Sequence, residues 1–201
     1  MFTARRTWLL VLVFIIAAAG GAWWAARERA APVLQAGTWL PEPRALPGVQ
    51  LLDSRGAAFT PAQLRGGATL LFLGFTNCPD VCPATLALLK AVRDATALRP
   101  RVVMVTVDPD RDSPQQLQRY LNGFDPQFIG LTGDPTALRA LADSLSAVVR
   151  RTDLPGGDYT MDHSATVYLL DRHARVVAVF TPPLERASIS ADLDRLARRI
   201  G

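Results

Sequence analysis

Residues 68–83 read Ala68-Thr69-Leu70-Leu71-Phe72-Leu73-Gly74-Phe75-Thr76-Asn77-Cys78-Pro79-Asp80-Val81-Cys82-Pro83. From Ala68 to Phe75 the run is almost continuously apolar, which suits a strand buried on both faces. Behind Pro83 the apolar positions Leu86, Leu89, Val92 and Ala95 recur at helical spacing, so Cys82-Pro83 opens a helix. A buried strand running straight into a helix, with two cysteines in the turn between them, decides how the rest of the chain is read.

Downstream, Arg101 to Val107 is a second buried strand. Ser113-Pro114 and Asp134-Pro135 are N-cap and first-turn proline pairs, opening helices that run to about Asn122 and about Ser144. Ala147 to Arg151 suits a short strand. Ala165 to Leu170 and Arg175 to Phe180, joined by a turn at Asp171 to Ala174, form an antiparallel hairpin, and Ile189 to Ile200 closes the chain as an amphipathic helix. Upstream, Leu51 to Asp53 and Ala57 to Phe59 flank Ser54-Arg55-Gly56 as a short opening hairpin. Alternating β and α units imply a central sheet with helices on both faces, in an α/β order that is thioredoxin-like from residue 49 to 201. Such sheets place their sites at the C-terminal ends of strands, where both cysteines fall.

The N-terminal part has a different character. Thr7 to Ala26 carries no charge, and ~20 helical residues at ~1.5 Å each span a bilayer core. Arg5 and Arg6 precede this stretch and Trp8, Trp23 and Trp24 sit near its ends, which predicts a transmembrane helix with its N-terminus in the cytoplasm. Residues 1–29 are therefore expected to anchor the chain in the bilayer of a bacterial inner membrane, single-pass, with the soluble domain in the periplasm. The small residues from Ala17 to Ala22 would also suit a cleaved signal peptide, but the apolar run exceeds the usual ~7–15 residue core of one. Residues 30–48, with Pro32, Pro41, Pro43 and Pro47, are expected to be an extended tether. A length of 201 residues leaves room for one cored domain beyond these. The formal net charge is +4, but the arginines are scattered among acidic residues, which argues against a nucleic-acid partner.

Cys78 and Cys82 are the only cysteines. A helix N-terminus stabilises thiolate, which is both nucleophile and metal ligand. A structural disulfide would restrain little, because the loop it closes is so short. A thiol oxidoreductase usually has two residues between its cysteines, where this pair has three. A peroxidase would need an activating Thr at a spacing that Thr76 does not offer. Structural zinc wants four ligands, whereas soft thiolates favour Cu(I), and two sulfurs with one imidazole suit copper in either oxidation state. Of the two histidines, His173 lies in a polar turn where a solvated ring needs no explanation. His163, in Tyr159-Thr160-Met161-Asp162-His163-Ser164, stands just ahead of a buried strand, from where it could face the sulfurs. Asp162 is a candidate to orient its ring. Asp80 suits a helix start, and Asp108-Pro109-Asp110-Arg111-Asp112 is adequately explained as a turn leading to a capped helix.

Four ordered segments then carry a resemblance: Phe75 to Pro83, Val107 to Asp112, Gly130-Leu131-Thr132-Gly133, and Asp158-Tyr159 through Asp162-His163-Ser164. Together they resemble the Sco/SenC copper chaperones over the domain from about Val49 onward. The resemblance implies that Cys78, Cys82 and His163 coordinate copper, as Cu(I), Cu(II) or both. It implies delivery to the dinuclear copper site of cytochrome c oxidase, with the copper-site subunit of that oxidase and a periplasmic thiol reductant as partners. It also implies an alternative role, in which Cys78 and Cys82 act as the redox-active pair of a thiol-disulfide reductase. On the first reading the chain is not a turnover enzyme.

Overall fold

The computed structural model describes Trp8, residues 12–21 and residues 31–201. The apolar run quoted above forms the strand Thr69–Gly74 at the centre of a sheet, and both of its faces are covered. Leu70 and Phe72 point to one side, against Leu86, Leu89 and Val92 and against Ile189, Leu193 and Leu196. Leu71 and Leu73 point to the other, against Leu138, Leu141 and Ala142 and against Leu51, Phe59 and Leu64. The strict period of two, with every position buried, is what a doubly covered sheet demands.

In chain order the strands of this sheet are β1 (Gly37–Ala45), β2 (Leu51–Asp53), β3 (Ala58–Phe59), β4 (Thr69–Gly74), β5 (Arg101–Thr106), β6 (Ile129–Thr132), then β9 (Val167–Leu170) and β10 (Arg175–Phe180). Among the described residues they lie side by side as β1-β10-β9-β4-β5-β6-β2-β3, with β4, β5 and β6 mutually parallel. The helices are α1 (Val81–Ala95), α2 (Pro114–Asn122), α3 (Pro135–Ser144) and α4 (Arg186–Ile200). The two expected caps are present: Ser113 Oγ accepts from the Gln116 N–H at 3.2 Å, and Asp134 accepts from the Thr136 N–H at 2.8 Å. Strand β6 goes beyond the expected elements. It is only four residues long and contains Gly130, whose missing side chain lets Leu117 and Leu121 of α2 close on the sheet.

Two further strands, β7 (Val149–Asp153) and β8 (Tyr159–His163), pair only with each other. Their register runs from Val149 opposite His163 to Asp153 opposite Tyr159. Gly156 and Gly157, at φ 91° and 86°, make the tight reversal. The sequence signals the first of these strands but not the second, because Tyr-Thr-Met-Asp-His is polar and half-exposed and has no clean apolar alternation.

The segment 30–48 departs from the expected tether. Gly37–Ala45 is extended, but it pairs antiparallel with β10 as an edge strand of the sheet. Pro41 and Pro43 fall inside the register shift between Trp39 and Arg44, the one stretch of an edge strand where a missing N–H costs no ladder bond. A methyl group on Gly37 would stand 2.7 Å from the Phe180 ring, so the strand crosses where only glycine fits. Just before it, the carboxylate of buried Asp192 on α4 accepts from the N–H groups of Gln35, Ala36 and Gly37 at 2.7, 2.8 and 3.0 Å. The folded unit accordingly begins at Val33, well before residue 49.

Residues Met1–Pro32 form a separate unit, in which residues 12–21 are helical and exposed. The expected span Thr7 to Ala26, with Trp23 and Trp24, lies in large part outside the described residues. Among the described residues no helix is long and apolar enough to cross a membrane.

Asp192→Ala removes the acceptor of three part-buried backbone donors, which water can partly satisfy, so the loss is of the ~1–3 kcal/mol order of one unsatisfied buried group. Equilibrium urea unfolding should show a loss of about 2–3 kcal/mol, with amide exchange rising first in residues 35–45.

Candidate metal site

Strand β4 ends at Gly74 on the edge where parallel sheets present their sites, and the chain turns through residues 75–80 into α1. The turn is held by a carboxylate. Asp112 is fully buried and accepts from Thr76 Oγ1 at 2.6 Å, from the Thr76 N–H at 3.1 Å and from Thr106 Oγ1 at 2.6 Å. Burial pushes its pKa up, and the donated hydrogen bonds pull in the opposite direction. The segment expected to be an ordinary turn thus holds the start of the cysteine loop in place. Its other end is also occupied: buried Asp108 accepts from the Tyr159 hydroxyl at 2.7 Å and pairs with Arg111.

The two cysteines occupy different surroundings. Cys78 is half-buried, and its Sγ accepts from the Cys82 N–H at 3.3 Å in the first turn of α1, so one of the helix's unpaired donors serves the sulfur. Cys82 is fully buried. Burial pushes its thiol pKa well up, with a backbone hydrogen bond from Phe75 working against the shift and Cys78 adding to it. Space for its sulfur comes from Gly74, where a methyl group would stand 3.2 Å from Cys82 Sγ.

His163 closes the last turn of β8 and faces this pair. Its Nε2 lies 3.5 Å from Cys82 Sγ, and its Nδ1 lies 3.1 Å from the Ser164 carbonyl oxygen. Nδ1–H donating to that carbonyl leaves the Nε2 lone pair directed at the sulfur. The ring also meets Phe75 edge to face, centroids 5.9 Å apart. Burial lowers the His163 pKa, against opposing contributions from the Ser164 carbonyl and the Asp162 charge, which keeps the imidazole neutral and fit to ligate at neutral pH. Asp162 is not the group that orients the ring: its carboxylate accepts from Thr152 Oγ1 at 2.6 Å across the hairpin. His173 is exposed in its turn, remote from this chemistry.

The donor set fits a soft metal ion. With bonds of ~2.3 Å to sulfur and ~2.0 Å to nitrogen at a tetrahedral angle, two ligands of one ion stand ~3.5 Å apart, and that is the Cys82–His163 separation. The cage is not fully closed, since among the described residues no three Cys, His, Asp or Glu side chains are already gathered as a metal cluster. Cys78 is the more exposed of the two cysteines.

Fold and site together define a thioredoxin-like α/β domain carrying a strand-to-helix dithiol with an imidazole set against it. The family model described as SCO1/SenC matches residues 44–198, and the chain belongs to the SCO1/SenC family. It is 34% identical to a SCO2-like protein of Rickettsia prowazekii, over 65% of this chain and 66% of that one, so it spans about two thirds of that relative's length. Among solved structures it is similar to Bradyrhizobium japonicum ScoI with copper bound, at 38% identity and TM-score 0.68, covering 75% of this chain and 98% of that one. BsSco, described as having a disulfide switch and as a member of the Sco family of cytochrome c oxidase assembly proteins, matches at 21% identity and TM-score 0.62. That match covers 79% of this chain and 98% of BsSco, and it speaks to the fold alone.

The sequence pointed to both cysteines and to His163. It did not point to Asp112, Asp108, Tyr159 or the Ser164 carbonyl. A clue was available for the aspartates, since two acids directly behind a fully apolar strand are placed to be drawn into its buried end.

Timed alkylation of the reduced, metal-free chain with iodoacetamide, read by peptide mass spectrometry, should modify Cys78 at least tenfold faster than Cys82. The buried thiol with the raised pKa supplies little thiolate at neutral pH, and comparable rates would contradict this arrangement.

Proposed function

We propose that this chain is a copper metallochaperone that holds one copper ion as cargo through Cys78, Cys82 and His163 and passes it to a thiol-rich acceptor. The observation that carries the reading is the 3.5 Å approach of His163 Nε2 to Cys82 Sγ with Nδ1 already engaged. Two thiolates and a neutral imidazole are a donor set that copper accepts in either oxidation state. A copper-bound ScoI among the similar structures supports the same choice of ion.

Transfer proceeds by ligand exchange. An incoming thiolate of the acceptor bonds to the ion as Cys78, the exposed ligand, lets go. Cys82 and His163 follow, and the oxidation state of the metal does not change. Binding takes up the thiolate forms, so loading releases protons. The proposed acceptor is the copper-site subunit of cytochrome c oxidase, in keeping with the family tie to oxidase assembly. We place the N-terminal unit in the bacterial inner membrane and the domain in the periplasm, on the strength of the uncharged run Thr7 to Ala26 and its flanking arginines. A tether to the membrane raises the effective concentration near a membrane-embedded partner. Thiols in that compartment tend to oxidise, so a thiol reductant is the second partner.

A second reading, reduction of the acceptor's own cysteines, is favoured by the unequal exposure of the pair. Cys78 thiolate would attack a substrate disulfide to give a mixed disulfide and release one substrate thiolate. Cys82, once deprotonated, would then attack Cys78 sulfur, freeing the second substrate thiolate and leaving Cys78–Cys82 oxidised.

Copper stoichiometry on the reduced chain separates these readings, compared with Cys78→Ala, Cys82→Ala and His163→Ala and with absorption spectra of the Cu(II) form. The expected result is one tightly held copper with a sulfur-to-copper charge-transfer band, lost in each variant. Weak copper binding together with rapid disulfide exchange, unaffected by His163→Ala, would replace the chaperone with the reductase.

A further inference from the structure

The hairpin that carries His163 has no ladder hydrogen bond to the main sheet, since β7 and β8 pair only with each other. Side chains therefore fix its position. Val149 and Met161 pack on the core, but beneath the hairpin lies a cavity of about 220 Å³ lined by Leu73, Val107, Leu138, Val149 and Met161 among others, so this packing leaves a gap. At the His163 end Arg139 donates to the Val149 carbonyl at 3.3 Å and the His163 ring meets Phe75, and a denser group of polar ties holds the other end. There the Tyr159 hydroxyl donates to buried Asp108 at 2.7 Å, and Arg111 donates to the Tyr159 carbonyl at 3.0 Å and to Asp158 at 3.3 Å. The Tyr159 ring is clamped between two guanidinium groups, Arg111 at 3.8 Å and Arg151 at 3.6 Å from its centroid.

Tyr159, Met161 and His163 share one face of β8, because side chains alternate along a strand. Tyr159 and His163 are thus the two ends of a rigid arm ~13 Å long, at ~3.3 Å per residue. Over this length a tilt of about 5° displaces one end relative to the other by about 1 Å, beyond the ~0.5 Å tolerance of a working ligand set. The same short segment that grips this end at Asp108 grips the cysteine loop through Asp112.

We infer that Tyr159 is a positioning residue for copper, setting the distance of His163 from the two sulfurs through Asp108 and Arg111, which tie the hairpin to the strand end that also holds the cysteine loop. This rests on the proposed function for its metal but not for its geometry. Tyr159→Phe removes one hydroxyl and leaves the ring in its clamp, so folding is preserved. Removal of an outer partner of a metal ligand typically weakens binding ~10–100-fold.

The test compares the wild-type chain with Tyr159→Phe and Arg111→Met in two arms. In the copper arm, competition titration should show the affinity falling at least tenfold in both variants. Nitrogen hyperfine structure in the Cu(II) electron paramagnetic resonance spectrum should weaken while the sulfur charge-transfer band persists. In the metal-free arm, amide exchange in residues 149–163 should accelerate and the His163 imidazole ¹⁵N shifts should move, while Cys78 and Cys82 keep their alkylation rates. Unchanged exchange and unchanged imidazole shifts would overturn the inference whether or not copper binds. Equal loosening of the cysteine loop would also overturn it, because the defect would then be general. A wild-type chain that binds no copper, with the metal-free arm as expected, would sink the chaperone reading and leave the positioning role standing.

Discussion

A buried carboxylate is among the costliest things a fold can contain unless donors satisfy it, and Asp112 is fully removed from water. Its donors come from Thr76 and Thr106, the first in the cysteine loop and the second at the end of β5. Satisfying Asp112 therefore leaves the start of the loop little freedom, and the loop takes its path from the sheet without help from a bound ion. The site is built on strand ends, where position is most precise, and the exposed part of the turn is left to vary.

The second constraint is the contrast between the two sulfurs. Both lie at a helix N-terminus, but Cys82 is fully buried and Cys78 is only half-buried. Burial favours the neutral thiol of Cys82, and the imidazole beside it offers a lone pair to that S–H. On the proposed function, a soft cation replacing the proton would find both donors already aligned, which would lower the reorganisation that binding must overcome. The outer sulfur keeps the freedom that any exchange of partners requires. On that proposal a single helix turn would divide retention from release between two residues of the same type.

Much of this was legible in the sequence, for reasons that differ from element to element. The buried strands announced themselves by unbroken apolar runs, and two helices by serine or aspartate followed by proline. The cysteine pair was informative because a strand and a helix so clearly bracketed it. His163 could be singled out since the chain has so few ligands to choose from. Three features were hidden. Pro41 and Pro43 disguised an edge strand, because the bulge that accommodates them is visible only in the register with β10. Strand β8 lacks the alternation that marks a strand, its partner being a hairpin arm and not a sheet. The roles of Asp108 and Asp112 depend on Tyr159, Thr76 and Thr106, partners that the fold brings in and that local spacing does not signal. Asp162 misled for the opposite reason: adjacency in sequence put it next to His163, while strand alternation sends its carboxylate across the hairpin to Thr152.

Cys82 and His163 are separated by 81 positions in the chain. In the unfolded polypeptide the sulfur pair persists as a weak local chelate, but the imidazole lies at the far side of a long loop and contributes almost nothing. On the proposed function, an ion that needs sulfur and nitrogen together would find its full complement only after β8 has docked. Occupancy would then be a certificate of completed folding, and a half-made chain would be kept from competing for the ion.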